Sequence, residues 1–152
     1  PTVGSRSAGC VYFAADVAPV DGAYVILDGH GHGPVYNVAV MSHVSPAYAP
    51  AGRHLIAAAL PGTVDGDLES AARRQLRSWW GPQVDNWRHL RTYRIEHGQP
   101  DQTPPFNPKE KVSLGNGIFV CGDHRDTGSI QGAMYSGRRC AEAVTESVRL
   151  SA

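Results

Sequence analysis

The sequence lacks several features that would assign it at once to a broad class of protein. No stretch approaches the roughly 18 apolar residues that a membrane span needs, and no charged-then-apolar leader is visible at its start. Neither sign of charge is in excess, because 14 Lys and Arg residues balance 14 Asp and Glu residues. A neutral balance gives no electrostatic reason to expect nucleic acid as a partner. We therefore expect a cytoplasmic protein that binds no nucleic acid and has no transmembrane segment.

Cysteine is also scarce, and its spacing is uninformative. Cys10, Cys121 and Cys140 form neither a disulfide framework nor a Cys-x-x-Cys metal motif. This agrees with a reducing compartment, and Cys121 and Cys140 are interpreted as inert packing residues.

A metal site is one hypothesis for the glycine-rich segment 28–34, because potential ligands lie within it and shortly after it. They are Asp28, His30, His32 and His43. Side chains that alternate along a strand share one face, but no strand is assured among these glycines. We therefore predict no metal site and interpret the segment as a loop.

Most of the chain shows the periodicity of a sheet with one helix. Short β-branched and aromatic runs predict strands at 10–16, 23–27, 35–41, 54–60 and 88–97. At 67–79 the apolar spacing changes to three and four residues, which predicts an amphipathic helix. A proline-rich segment at 98–108 then predicts an irregular crossing between two parts of the chain.

The C-terminal part has a different pattern. Residues 118–121 form a continuous apolar run of the kind that is buried on both faces of a parallel sheet. Gly122 and Asp123 end this run, and a helical apolar stripe begins near Ser129. The first N–H groups of a helix lack internal partners and can hold an anionic oxygen. The pattern therefore predicts a ligand site between strand and helix, although a capped helix with tightly packed glycines would explain it equally well.

Residues 117–141 closely resemble the C-terminal FAD-binding segment of the flavin-containing amine oxidase superfamily, and the phytoene desaturase and protoporphyrinogen oxidase-like branches are nearest. The family pattern is an apolar strand, Gly-Asp or Gly-Glu, a short loop, then Gly-Ser-Ile-x-Gly-Ala-x-x-Ser-Gly-Arg. Here it is Gly122-Asp123 followed by residues 128–138. Looser similarity to the family's substrate-domain strands extends over most of the chain.

The resemblance implies an FAD-dependent oxidoreductase that transfers hydride from a small apolar or amine substrate to flavin. It implies that Asp123 contacts the ribityl or pyrophosphate region of FAD and that the helix-start amides approach the flavin pyrimidine edge. The residues implied to bind the cofactor are Gly122, Asp123, Ser129, Ile130, Gln131, Gly132 and Ala133. No catalytic residue is implied, since neither Lys109 nor Lys111 matches the lysine that family amine oxidases often place near the flavin.

The family's N-terminal Gly-x-Gly-x-x-Gly turn, which binds the ADP half of FAD, has no counterpart here. We therefore expect residues 1–108 to be a substrate-domain portion and 109–152 to be a C-terminal strand-helix segment of a Rossmann-like FAD-binding domain. The expected fold class is mixed α/β, with an antiparallel sheet and a helix before that segment. The N-terminal FAD-binding portion is then a missing partner, and strand edges exposed without it suggest a homodimer. The alternative is a non-catalytic binding module derived from a flavoenzyme.

Overall fold

The computed structural model describes residues 4–62 and 65–151, and these form two compact units. One unit is Arg6–Gly98, and the other combines the described residues of Pro1–Ser5 and Gln99–Ala152. The division falls between Gly98 and Gln99, at the start of the proline-rich segment. The predicted domain boundary after residue 108 stays a prediction, since compactness alone does not assign a function to either unit.

The unit Arg6–Gly98 contains most of a five-stranded sheet in the order β2-β3-β4-β1-β5. Its strands are β1 Ser5–Ala15, β2 Val25–Leu27, β3 Asn37–Val40, β4 His54–Pro61 and β5 Arg88–Pro100. The β1–β4, β2–β3 and β3–β4 pairs are antiparallel, and Phe13 lies opposite Ile56 in the register. A short helix α1, Met41–Val44, and a 3-10 turn, Pro46–Tyr48, connect β3 to β4. The mixed α/β class with an antiparallel sheet, predicted from the sequence, is confirmed.

Helix α2, Leu68–Trp80, covers one face of this sheet. Asp67 caps the helix by accepting the N–H of Ser70, and Gly81 ends it with a φ of 70°. Leu68, Ala72 and Leu76 are buried in the same core as alternate residues of β1 and β4. The predicted helix at 67–79 is therefore confirmed to within one residue at each end.

The core continues past α2 into a 3-10 segment, Gly81–Asn86. Trp87 is buried against Phe13, with ring centroids 5.8 Å apart. Arg73 of α2 donates to the carbonyl oxygens of Val84 and Trp87, which holds this segment against the helix.

The second unit contains a small hairpin and a long helix. Strands β6, Ser113–Gly115, and β7, Ile118–Phe119, pair antiparallel. A 3-10 turn, Asp123–Arg125, leads to helix α3, Ile130–Ser151. No helix of the described ranges 4–62 and 65–151 is long and apolar enough to cross a membrane.

The predicted buried parallel strand at 118–121 is wrong for this chain. β7 has two residues, its partner is antiparallel, and Ile118 is 59% exposed. Cys121, interpreted as buried in that strand, is also exposed. An apolar run is buried only where other elements cover it, and the described residues supply only β6 as a neighbouring strand.

The helical stripe predicted after residue 129 is present, and much of it is uncovered. Ile130 is 78% exposed and Met134 is 72% exposed. In contrast, Gly132 and Ser136 lie on a buried side of α3. The start of this helix therefore has one side packed on its own unit and one apolar side open.

Candidate functional site

The turn at Gly122 has a backbone that only glycine adopts readily. Its φ is 145° and its ψ is 170°, and a Cβ at this position would lie 2.6 Å from the His124 ring. Gly122 is followed at once by Asp123, the first residue of the 3-10 turn. The half-buried Asp123 carboxylate accepts no hydrogen bond from the described residues. It is therefore available to accept hydrogen bonds from ligand hydroxyl groups.

Ser136 fixes this turn to α3. Its Oγ accepts the Gly122 N–H at 2.9 Å and lies 2.7 Å from the Gly122 carbonyl oxygen, to which it donates. It also lies 3.0 Å from the carbonyl oxygen of Ala133 within the helix. The Ser136 side chain is fully buried. The sequence motif contains Ser136, but nothing in its spacing distinguishes this structural role from that of a surface serine.

The start of α3 carries two open backbone donors. Ser129 caps the helix, because its Oγ accepts the N–H of Gly132 at 2.9 Å. The Ser129 amide is itself bonded to the Thr127 carbonyl oxygen, and the Ala133 amide to the Ser129 carbonyl oxygen. The amides of Ile130 and Gln131 have no partner among the described residues. Of the predicted amide donors, these two are the ones that remain for a ligand.

Gly132 has a packing reason to be glycine. A Cβ there would overlap the backbone carbonyl oxygen of Thr127 and approach its hydroxyl. Close approach of the loop to the helix therefore explains this glycine, and Ala133 beside it is half-buried.

The loop between the turn and the helix is held by polar contacts that sequence reasoning missed. Gln102 donates to the Asp126 carbonyl oxygen at 2.8 Å and accepts the Gly128 N–H at 3.0 Å. Arg139 donates to the Arg125 carbonyl oxygen at 2.7 Å and lies 3.4 Å from the Asp126 carboxylate. Gln102 lies in the proline-rich segment outside the motif, so spacing within the motif could not identify it.

Arg125 is a buried cation in this loop. It is only 8% exposed, its Nε is buried, and it forms neither a hydrogen bond through that atom nor an ion pair with the described residues. A buried cation without a partner is unfavourable by itself and is stabilised by an anionic group. Arg125 and the helix start thus place positive charge near the Asp123 carboxylate in the same loop.

The histidines within and after the glycine-rich segment 28–34 form no comparable site. The rings of His30 and His32 stack at 5.6 Å, whereas His43 bonds the Gly22 carbonyl oxygen and contacts His54. Within residues 4–62 and 65–151, no group of three or more His, Cys, Asp or Glu side chains is arranged to hold a metal ion.

Comparison with known protein families identifies the family to which this chain belongs. The model of flavin containing amine oxidoreductases matches residues 4–145, and the chain therefore belongs to this family. FAD, predicted from the sequence, is accordingly the cofactor that the family implies. A comparison with curated proteins finds no significant match.

Solved structures share the fold at low sequence identity. An oxidoreductase from Methanosarcina mazei has a TM-score of 0.56 and 16% identity, with 93% of this chain and 35% of that chain covered. The "Putative protoporphyrinogen oxidase" from Exiguobacterium sp. 255-15 has a TM-score of 0.69 and 17% identity, with 99% and 36% covered. The chain thus spans about a third of the length of these proteins.

The residues at the loop and the helix start fit FAD. The open amides of Ile130 and Gln131 suit a carbonyl oxygen acceptor, and the unpartnered Asp123 carboxylate suits a hydroxyl donor. The Arg125 guanidinium is the kind of cation that pairs with a phosphate oxygen. No single residue type establishes this fit, but donor, acceptor and cation all occur within residues 123–131.

Proposed function

We propose that this chain is the C-terminal portion of an FAD-dependent oxidoreductase that oxidises a small apolar or amine substrate. When bound, FAD supplies the redox chemistry by accepting hydride from a substrate C–H bond. The observation that carries the proposal is the pair of open amides at the start of α3, beside the unpartnered Asp123 carboxylate.

The helix start has an electrostatic role in this proposal. The Ile130 and Gln131 N–H groups would donate to the pyrimidine edge of the flavin, where negative charge develops on reduction. Fixed donors and the positive end of a helix stabilise such charge without reorganisation. The Ser129 cap and the Ser136 bonds to Gly122 would keep these donors in place.

Asp123 would orient the cofactor rather than take part in the redox step. Its carboxylate can accept two or more hydrogen bonds from ribityl hydroxyl groups. The turn that presents it depends on the glycine-only backbone of Gly122. The proposal therefore gives Asp123 a binding role and names no catalytic acid or base.

The sheet supports the apolar choice of substrate. The face opposite α2 includes half-buried, mainly small and neutral side chains from three neighbouring strands: Cys10, Tyr12, Ala14, Asn37, Ala39, Leu55, Ala57 and Ala59. Tyr12 also packs edge-to-face with Tyr93 of β5, at a centroid distance of 5.9 Å. These neutral side chains favour an apolar substrate over a cationic amine, because none of them supplies a carboxylate to pair with an ammonium group.

FAD retention by the complete gene product tests the proposal. We expect Asp123→Ala to raise the Kd for FAD at least about tenfold, because hydrogen bonds to a charged group are worth about 1.5–3 kcal/mol. Asp21→Ala, at an exposed turn of the other unit, is the matched control and should leave the Kd unchanged. Equal retention by both variants would instead favour a non-catalytic module derived from a flavoenzyme. The 152-residue chain alone should bind FAD weakly or not at all.

A further inference from the structure

Two cysteines flank the candidate flavin site, one directly before the Gly122 turn and one on α3. Cys121 directly precedes Gly122. The hydroxyl of Ser136 is hydrogen-bonded to both the N–H and the carbonyl oxygen of Gly122. Cys140 lies four residues after Ser136 and so projects from the same side of α3, one turn further along. The Ser136 bonds thus place the two cysteines beside the same turn, close enough for the Cys121 thiol to influence the pKa of the Cys140 thiol.

The two thiols differ in environment. Cys121 is exposed, whereas Cys140 is half-buried. Burial raises the pKa of the Cys140 thiol, and the neighbouring Cys121 thiol raises it further. The more accessible Cys121 is therefore the one that meets a dissolved oxidant first.

The third cysteine belongs to the other compact unit. Cys10 lies on β1, and burial raises the pKa of its thiol. It is half-buried beside Tyr12 and provides an internal reference for general thiol oxidation.

We propose that Cys121 and Cys140 are a redox-active pair that a peroxide converts to an intramolecular disulfide. This goes beyond the flavin chemistry proposed above and does not depend on it. The sequence interpretation of both cysteines as inert considered each one singly, whereas the fold places them on either side of the Ser136–Gly122 bonds.

The reaction balances with peroxide as the two-electron oxidant. The Cys121 thiolate attacks one peroxide oxygen, so that an S–O bond forms, the O–O bond breaks, and the leaving oxygen departs as water after protonation. The Cys140 thiolate then attacks the Cys121 sulfur, an S–S bond forms, and the sulfenic oxygen leaves as a second water. Two thiols are oxidised, and one peroxide is reduced to two waters.

The disulfide would enclose the whole candidate cofactor segment. The covalent loop 121–140 contains Gly122, Asp123 and the start of α3. Closing it restricts the separation of α3 from the Gly122 turn, which Ser136 otherwise restrains by hydrogen bonds alone. The pair would therefore link the oxidation state of the surroundings to the rigidity of this segment.

Thiol counting by mass spectrometry tests the proposal on the 152-residue chain. The folded protein is treated with hydrogen peroxide, unfolded, and alkylated with iodoacetamide, with and without prior reduction by dithiothreitol. We expect one alkyl group, on Cys10, before reduction and three after it. Trypsin should release peptide 112–125 linked to peptide 140–149.

Single variants separate the pair from general oxidation. Cys10→Ser should keep the link, whereas Cys140→Ser should stop at a Cys121 sulfenic acid that dimedone traps. Three alkyl groups after peroxide treatment, a link to Cys10, or a link found only in a covalent dimer on a non-reducing gel would each overturn the proposal.

Discussion

The contacts of Ser136 predict a specific loss when its hydroxyl is removed. Ser136→Ala leaves the Gly122 N–H without the partner that now lies at 2.9 Å, and it also removes the donor to the Gly122 carbonyl oxygen. Each intramolecular hydrogen bond contributes about 0.5–1.5 kcal/mol to stability, so the loss of both costs about 1–3 kcal/mol. We therefore expect the opening free energy of α3 to fall by about 2 kcal/mol, which is roughly a 30-fold change in an equilibrium constant.

Native-state hydrogen exchange of the α3 amides measures this change directly. Amides in the first turns of α3 should exchange roughly 30-fold faster in Ser136→Ala, whereas amides of β4 in the other unit should keep their rates. Thr145→Ala is the matched control, because Thr145 also donates to a carbonyl oxygen of its own helix but is exposed. Equal exchange rates in the two variants would refute the idea that Ser136 holds the Gly122 turn.

Three further predictions concern the scaffold. Gln75→Ala should lower the free energy of unfolding by about 1–3 kcal/mol in urea titrations, because Gln75 bonds both the N–H and the carbonyl oxygen of buried Val35; an unchanged midpoint would contradict this. Gly132→Ala should destabilise α3 by about 1–3 kcal/mol in the hydrogen-exchange assay, since the added methyl group overlaps the Thr127 carbonyl oxygen; exchange as slow as in the parent would show that the loop shifts freely. Hydrogen bonds from the hydroxyl and the N–H of Ser70 hold the pKa of Asp67 below its ordinary range. The Asp67 carboxylate therefore stabilises the fold fully above the unfolded-state pKa, and this stabilisation is lost as the pH falls through the folded-state pKa. Asp67→Asn should flatten the acid limb of a plot of stability against pH, and parallel curves for the two proteins would contradict this assignment.

Local pattern predicted the sheet unit well, because its elements bury their apolar faces within the unit. Alternate residues of β1 and β4 pack against α2 in one core. The period-two spacing of apolar residues in the strands and their helical spacing in α2 therefore both reflect packing within this chain. The ends of elements were less predictable. β5 continues to Pro100 rather than ending at His97, because a proline at the edge of a ladder does not prevent its preceding residues from pairing.

The C-terminal unit shows where sequence patterns stop being sufficient. The apolar run at 118–121 has the composition of a buried strand, but burial depends on neighbours that the described residues do not include. The sequence motif located the start of α3. Which of its backbone N–H groups are already hydrogen-bonded, and which remain available to a ligand, could be read only from the bonds made by Ser129 and Thr127. Gln102 and Arg139 act through contacts distant in sequence, which no local pattern encodes.

The reduction potential of FAD bound to the complete protein tests the role of the α3 amides most directly. Ile130→Pro removes one open N–H while keeping the helix, because proline is accepted at the first helical position. Ile130→Ala is the control, since it shortens the same side chain and retains the N–H. Loss of about 1.4 kcal/mol of stabilisation should lower the two-electron potential of the proline variant by about 30 mV relative to the alanine variant. Equal potentials in the two variants would contradict the account.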